Sequence, residues 1–240
     1  MFAIQATGLQ KRFKDVHAVA GLDLFVDPGD IVGLLGPNGA GKTTTIMMLL
    51  GITEPDAGEI TLLGHRFPGE RTEAIEKTNF WASYLGLPGK MTVREILHLH
   101  ADLYGAPYSR IDECVERFGI GDLLKRFPMQ MSSGQKTLVG VARALVNHPR
   151  LLILDEPTAS LDPEIADRIR TALLEMHAED RFALLITSHN MTDIERLCRR
   201  VVFIAAGRIV ADDSPADLVA RYGVADLEAT FLSIAAEART

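Results

Sequence analysis

The sequence predicts an α/β protein with a largely parallel sheet that helices cover on both faces. Short apolar runs, such as residues 31–35 and 151–154, have the length and composition of buried strands. Helical stretches lie between these runs, which is typical of βαβ units. A glycine-rich turn joins the run 31–35 directly to a helix, as in sheets that bind a ligand at one edge.

The elements follow one another in a consistent order. Two β-rich segments, 2–9 and 21–26, precede the first buried run, and a helix is predicted from Lys42 to about residue 50. A turn is predicted at 54–58 and a strand at 59–64. The later elements are predicted at 93–147 (mostly helical), 151–157 (strand), 163–178 (helix), 183–189 (strand), 191–199 (helix), 200–210 (hairpin) and 217–235 (two short amphipathic helices).

Composition and charge narrow the classes of function. Hydrophobic residues make up 47% of the 240 residues, which is enough for a sizeable core. We predict one domain over residues 1–240, with a helical subdomain at about 89–147 and a C-terminal helical tail at about 212–240. A net charge of −7 argues against a protein that neutralises nucleic-acid phosphates, so we expect no nucleic-acid partner. The two cysteines, Cys114 and Cys198, are too few for a disulfide framework and are expected to be buried thiols.

The sequence carries no membrane-spanning or export signal that we can identify. Residues 1–13 lack the apolar core of a signal peptide. No apolar stretch approaches the roughly 18 residues that a transmembrane helix requires. We therefore expect a chain that is soluble by itself and reaches a membrane only through a partner.

Residues 36–43 match the phosphate-binding pattern G-x-x-x-x-G-K-[ST] between a predicted strand and a predicted helix. Glycines let backbone N–H groups turn around anionic oxygens, and the helix N-terminus adds positive potential. Lys42 is expected to reach the β- and γ-phosphates of a nucleotide, and Thr43 to ligate Mg²⁺. The predicted phosphate-binding residues are Gly36, Pro37, Asn38, Gly39, Ala40, Gly41, Lys42, Thr43 and Thr44.

Two carboxylates end the apolar run 151–154. Buried carboxylates are costly unless they are paired or face a metal ion. Neighbouring strand residues point in opposite directions, so Asp155 and Glu156 can have different roles. Asp155 is the candidate for holding Mg²⁺ through water, and Glu156 is the candidate general base for an attacking water.

A polar turn at 132–135 opens the predicted helix that precedes the acidic strand. Ser132 as an ordinary N-cap explains the serine but leaves Gly134 and Gln135 unexplained. Free N–H groups at a helix N-terminus also form an anion site. A second anion site is redundant within one chain unless it acts on another molecule.

The segments GLLGPNGAGKTT, MSSGQ, LDEPTASLDP and SHN together resemble the motifs of ABC-type ATPases, and the likeness extends from about residue 2 to 210. The resemblance implies a P-loop NTPase core with an antiparallel β subdomain and an inserted α-helical subdomain. It also implies ATP and Mg²⁺ as cofactors, a head-to-tail homodimer, and separate transmembrane permease subunits as partners. In that dimer the signature residues of one copy close on ATP held by the other, and these residues are Ser132, Ser133, Gly134 and Gln135.

The same resemblance assigns roles to single residues. Phe13 would stack on adenine, and His189 would be the switch histidine that contacts the γ-phosphate, alongside Lys42 and Glu156 as catalytic residues. The loop 160–162, which ends at Asp162, would cross the dimer interface at the nucleotide.

The sequence departs from the family pattern at 82–84. Family members typically carry a glutamine there that touches Mg²⁺ and links to the membrane subunit, and this chain has none. By its spacing to Thr92, Ser83 is the nearest equivalent, so we predict it as a metal ligand, directly or through water. The departure puts the normal coupling contact in question but leaves ATP binding intact.

The overall pattern is most similar to exporter-type subunits of drug and polysaccharide transporters. It implies a cytoplasmic chain held on the inner face of the cell membrane by its membrane subunits. One alternative is a soluble ABC ATPase that acts on a macromolecular complex, although such relatives carry two cassettes or a long coiled coil. Another is a regulatory module that binds ATP and hydrolyses it weakly, which the missing glutamine leaves open and which the presence of Glu156 and His189 opposes.

Overall fold

The computed structural model describes residues 1–237. Within these residues the strands are β1 (Ile4–Phe13), β2 (Val16–Val26), β3 (Ile31–Leu35), β4 (Ala57–Leu62), β5 (His65–Arg66), β6 (Thr78–Ala82), β7 (Leu151–Asp155), β8 (Ala183–Thr187), β9 (Arg200–Ala205) and β10 (Arg208–Asp213). The α-helices are α1 (Lys42–Leu49), α2 (Arg71–Glu76), α3 (Val93–Tyr104), α4 (Tyr108–Arg117), α5 (Ser133–Leu145), α6 (Pro163–Asp180), α7 (Met191–Leu197), α8 (Pro215–Tyr222) and α9 (Leu227–Glu237). Two short 3₁₀ helices, Gly121–Leu123 and Pro128–Gln130, lie between α4 and α5.

The strands form two sheets. The larger sheet has the order β10-β9-β3-β8-β7-β6, and all its neighbouring strands are parallel except β10, which is the antiparallel edge. The smaller sheet, β2-β1-β4-β5, is antiparallel throughout. Helices α3, α4 and α5 are inserted between β6 and β7. The predicted α/β class, with an antiparallel β part and an inserted helical part, is confirmed.

The central strands are buried on both faces. Every residue of β3, β7 and β8 is buried. Along β7, Leu152 and Leu154 belong to the apolar cluster that contains the inserted helices, whereas Leu151 and Ile153 belong to the cluster under the antiparallel sheet. Because strand residues alternate between faces, a continuous apolar run is what a doubly covered parallel strand requires.

The parallel register brings the ends of neighbouring strands together. Asp155, the last residue of β7, pairs with Ala82 of β6 on one side and with Thr187 of β8 on the other. The glycine-rich turn that follows β3 opens at the same edge, because β3 lies parallel to β8. The chain therefore gathers its polar loops at the carboxyl edge of the larger sheet.

Three elements of the fold were not predicted from the sequence, namely β5, α2 and β6. In addition, β4 begins at Ala57, so the predicted turn at 54–58 was two residues too long. Strand β6 has the mixed sequence TNFWA, which carries no apolar run, and its position is set by pairing with β7. Trp81 in β6 is buried in the core, and a Cβ on Gly140 of α5 would lie 2.3 Å from its ring.

Other features agree with the sequence. Cys114 and Cys198 are buried free thiols. The C-terminal segment forms α8 and α9, as the two predicted short helices, although residues 238–240 of the predicted tail lie outside the described part of the chain. Within residues 1–237, no helix is both long and apolar enough to cross a membrane.

Candidate functional site

The glycine-rich turn between β3 and α1 has a backbone that only glycine tolerates at its two ends. Gly36 has φ 151° and Gly41 has φ 109°. A Cβ at Gly36 would lie 2.1 Å from the carbonyl oxygen of Ile204, and one at Gly41 would lie 2.4 Å from that of Ala18. The turn is therefore held closely by β9 and β2, and its shape is set by the fold around it.

Lys42 begins α1 and is 8% exposed. Its Nζ donates hydrogen bonds to the carbonyl oxygens of Gly36 at 2.6 Å and Pro37 at 3.2 Å. Burial lowers the pKa of Lys42, while the nearby carboxylates of Glu156 and Asp155 oppose that shift. The side chain thus arches back across the turn and holds its ammonium group beside the loop backbone, where an anion would be received.

Asp155 is the polar centre of the site. Asp155 is only 3% exposed, and three hydroxyl groups donate hydrogen bonds to its carboxylate. Thr187 Oγ1 lies 2.5 Å from Oδ1, whereas Thr43 Oγ1 and Tyr84 Oη lie 3.3 Å and 3.2 Å from Oδ2. The buried carboxylate of Asp155 therefore lies at hydrogen-bond distance from the hydroxyl of Thr43 at the start of α1.

The donor set suits Mg²⁺. This ion takes oxygen ligands and is usually held by one or two carboxylates together with substrate phosphates. Thr43 and Asp155 supply a hydroxyl and a carboxylate that already lie together at the phosphate turn. No cluster of three or more metal-binding side chains occurs within residues 1–237, so phosphate oxygens and water would have to complete the coordination.

Glu156 follows β7 with φ 53°, a left-handed conformation that is uncommon for a residue with a side chain. Its N–H donates to Thr187 Oγ1 at 3.0 Å, and its Oε2 accepts from the N–H of His189 at 3.2 Å. The ring atom Nε2 of His189 lies 3.0 Å from Oε1, which otherwise is buried without a hydrogen-bond partner among the described residues. Burial raises the pKa of Glu156, and the neighbouring His189 and Lys42 counteract part of that effect.

These groups line one open cavity of about 450 Å³. Three lining residues were not predicted to bind nucleotide, and they are Val16, Ala18 and Tyr84. The predicted residues that line it are Asn38, Gly39, Ala40, Gly41, Lys42, Thr43, Thr44, Ser83, Asp155, Glu156 and His189. The phosphate loop, the acidic strand end and the switch histidine are thus brought together.

Of the predicted phosphate-loop residues, Gly36 and Pro37 do not line the cavity, and the placements of Phe13 and Ser83 also differ from what was expected. Phe13 is half exposed at the end of β1 and does not line the cavity, whereas Val16, its partner in the β1–β2 pairing, does. Ser83 lines the cavity but has no side-chain hydrogen bond within residues 1–237, and the neighbouring Tyr84 donates to Asp155 instead. The hydroxyl that contacts Asp155 from this segment is therefore that of Tyr84, and metal ligation by Ser83 stays a prediction.

The polar turn 132–135 lies outside this cavity. Ser132 is the N-cap of α5, its Oγ accepts from the N–H of Gln135 at 3.2 Å, and the side chain of Gln135 accepts from the N–H of Ser132 at 3.1 Å. A Cβ at Gly134 would lie 2.7 Å from Ile165 of α6. The expectation that capping leaves Gly134 and Gln135 unexplained was wrong, because Gln135 completes a capping box and Gly134 allows close helix packing.

Asp162 lies apart from the phosphate loop as well. It is the N-cap of α6, and its Oδ1 accepts from the N–H of Glu164 at 2.9 Å. Asp162 and Gln135 line a second cavity of about 470 Å³. Within one chain, the signature turn and the loop 160–162 therefore share a surface that does not include the phosphate loop.

A buried acid that sequence analysis did not identify ties two loops of the site together. Asp193 of α7 is fully buried and accepts from Arg170 at 2.5 Å, from Ser188 at 2.8 Å and from Thr158. Thr158 belongs to the loop after β7, and Ser188 to the loop after β8. Asp193 therefore links the segments that carry the predicted base and the predicted switch histidine.

Tyr84 and Thr187 are the other contributors that sequence analysis missed. Both reach Asp155 because β6, β7 and β8 run parallel in register, so that Ala82, Asp155 and Thr187 stand side by side. These contacts with Asp155 could not be predicted because they join segments far apart in the chain. Only the strand order β8-β7-β6 shows that the segments are neighbours. Gln135 could have been identified as part of a cap from the pattern S-x-x-Q.

Comparison with known proteins gives a consistent picture. The family model described as "ABC transporter" matches residues 19–159. The chain is 39% identical over 215 residues to the Nod factor export ATP-binding protein I of Burkholderia pseudomallei, covering 88% of this chain and 70% of that protein. It is 36% identical over 210 residues to the bacitracin transport ATP-binding protein BcrA of Bacillus licheniformis, covering 87% and 69%.

Solved structures agree with the sequence relatives. The ATP-binding subunit of an ABC transporter superposes with a TM-score of 0.88 at 26% identity, covering 97% of this chain and 99% of that one. The structure of cbiO1 from Clostridium perfringens superposes with a TM-score of 0.80 at 27% identity, covering 92% of each chain. The chain belongs to the ABC transporter family, and it is an ATP-binding ATPase of that family.

Proposed function

We propose that the chain hydrolyses Mg²⁺-bound ATP at the edge of its parallel sheet and so powers transport by separate membrane subunits. The observation that carries this proposal is the convergence of the phosphate turn, two carboxylates and His189 on one cavity. Lys42 neutralises the β- and γ-phosphates, and the turn's N–H groups bind their oxygens. Bound Mg²⁺ would be held by Thr43 and Asp155 and would neutralise phosphate charge.

Within this proposal, Glu156 is the general base. Its Oε1 is buried and, beyond the 3.0 Å contact with His189 Nε2, accepts no hydrogen bond from the described residues, so a second lone pair is left for an attacking water. The contact of 3.0 Å with His189 orients the carboxylate and keeps the imidazole beside the γ-phosphate position. Burial raises the pKa of Glu156, and the nearby His189 and Lys42 counteract part of that effect, so they favour the carboxylate form that a general base requires.

We further propose that two copies of the chain pair head to tail. The turn 132–135 is the N-terminus of α5, so it offers positive potential to an anion. Gln135 of that turn and Asp162 line a cavity separate from the phosphate loop of the same chain. A second copy is the natural source of the phosphate that these groups would meet, and the described chain works as a single ATPase domain within that pair.

The names of the sequence relatives support export as the direction of transport. One relative is named for Nod factor export and another for bacitracin transport. We propose that permease subunits hold the homodimer at the inner face of the cell membrane. The cargo is selected by those subunits.

The mass of Glu156→Gln in solution, with and without ATP and Mg²⁺, tests this proposal. Blocking hydrolysis should trap a nucleotide-dependent dimer, and the steady-state ATPase of the unsubstituted chain should be lost. Ser132→Arg should abolish the dimer because it places bulk and charge at the signature turn.

Ser214→Arg is the matched control, since Ser214 is likewise an N-cap serine whose Oγ accepts from an N–H three residues on. That variant should dimerise normally. A Glu156→Gln chain that binds ATP and stays monomeric, or an unsubstituted chain without Mg²⁺-dependent ATPase, would contradict the proposed mechanism and favour a nucleotide-binding regulator.

A further inference from the structure

Tyr84 occupies the part of the site where the sequence departs from the family pattern. It lies two residues after the end of β6, and Ala82 at that end pairs with Asp155. The phenol therefore stands beside the carboxylate as a direct result of the β6–β7 register. Its hydroxyl donates to Asp155 Oδ2 at 3.2 Å.

The same carboxylate oxygen also accepts a hydrogen bond from Thr43 Oγ1 at 3.3 Å. The other oxygen, Oδ1, accepts a hydrogen bond from Thr187 Oγ1. Oδ2 is therefore the oxygen of Asp155 that faces the phosphate turn. A water molecule of the Mg²⁺ shell, held between Thr43 and Asp155, would have to donate to this oxygen. Tyr84 already donates to it, so the phenol and that water compete for one acceptor.

The side chain of Tyr84 can move away from Asp155. The residue is 55% exposed and lies at the mouth of the cavity, so its ring can turn outward without opening the core. Burial beside Asp155 raises the pKa of Tyr84 to about 12, so the hydroxyl remains a donor at neutral pH. The segment that carries it continues to Thr92, where a capping box with Glu95 begins α3.

We propose that Tyr84 is a positioning residue whose hydroxyl holds Asp155 in the metal-free site and is displaced when Mg²⁺ and nucleotide bind. This inference rests on the proposed use of Mg²⁺. In this role Tyr84 is not a metal ligand, unlike the role predicted for Ser83.

The Mg²⁺ dependence of nucleotide binding tests the proposal without relying on turnover. Binding of a non-hydrolysable ATP analogue is followed by calorimetry at a series of Mg²⁺ concentrations. Tyr84→Phe removes the competing donor, so half-saturation should occur at a roughly fivefold lower Mg²⁺ concentration than in the unsubstituted chain. Tyr84→Ala should shift it in the same direction.

Tyr108→Phe is the matched control, because Tyr108 is half exposed and its hydroxyl donates to Asp102 at 2.7 Å, outside the site. It should leave the Mg²⁺ midpoint unchanged. An unchanged or higher midpoint in Tyr84→Phe would overturn the proposal while leaving the proposed ATPase intact. If Mg²⁺ had no effect on binding to the unsubstituted chain, both the proposed use of Mg²⁺ and this inference would fall.

Discussion

At the scale of single residues, the site depends on charges that are buried and mutually balanced. Lys42 is 8% exposed and its pKa is lowered by burial, while the carboxylates of Asp155 and Glu156 favour its charged form. A buried ammonium without such neighbours would be costly. The two acids therefore oppose the effect of burial and favour the charged form of Lys42 that incoming phosphates require.

Replacement of Lys42 by alanine should weaken ATP binding roughly 10- to 100-fold, since hydrogen bonds to charged groups contribute about 1.5–3 kcal/mol. Equilibrium binding of ATP to the purified chain measures this effect. Lys125→Ala, at an exposed position after the first 3₁₀ helix, is the control and should bind ATP normally. Equal affinities in the two variants would contradict the assignment of Lys42 to the phosphates.

The residues of the site differ in how far the sequence predicts them. The phosphate loop, Asp155 and Glu156 lie in short motifs whose chemistry is local, and the structure brings them to one cavity. Tyr84 and Thr187 reach Asp155 across strands that are distant in sequence. Only the strand order reveals those contacts, and no periodicity within a single segment encodes it.

At the scale of elements, α5 packs against β6 through a residue without a side chain. Gly140 lies directly over Trp81, which is buried, and Arg143 lies with its guanidinium 5.6 Å from the same ring. The inserted helices are thus fixed on the strand that leads to Tyr84. The mixed sequence TNFWA of β6 is the reason that this strand was not predicted from the sequence.

Gly140→Ala should destabilise the fold by roughly 1–3 kcal/mol, because the added methyl group would overlap the indole. Alanine has a higher helix propensity than glycine, which stabilises α5 by about 1 kcal/mol. This gain offsets only part of the loss that the overlap with the indole causes. Denaturant midpoints provide the measurement. Gly69→Ala is the control, because no atom lies within 4 Å of its built Cβ, and equal midpoints for the two variants would show that α5 and β6 are not closely packed.

At the scale of the whole molecule, stability should depend on pH through one half-buried histidine. Burial lowers the pKa of His100 from 6.5 to about 4, with a smaller contribution from the nearby Arg143. His100 is then neutral in the folded chain, whereas the unfolded chain binds a proton as the pH falls below about 6.5. Stability due to the neutral ring is therefore present above pH 6.5 and is lost progressively between pH 6.5 and 4.

His100→Gln should flatten the fall in unfolding free energy over that pH range. Urea unfolding at pH 7, 6, 5 and 4.5 would reveal the difference in slope. His98→Gln, on the same helix, controls for exchanging an imidazole for an amide. Parallel pH dependences for the His100 variant and the unsubstituted chain would show that His100 is protonated equally in both states.

The buried Asp193 has a consequence for how variants of this protein are classified. Because it joins the loops that follow β7 and β8, the two loops shift together or remain in place together. A substitution of Arg170 or Thr158 would disturb Glu156 and His189 at once, although neither residue lines the nucleotide cavity. A screen that scores only ATP turnover would list such positions beside the true catalytic residues, and thermal stability recorded in parallel would separate the two groups.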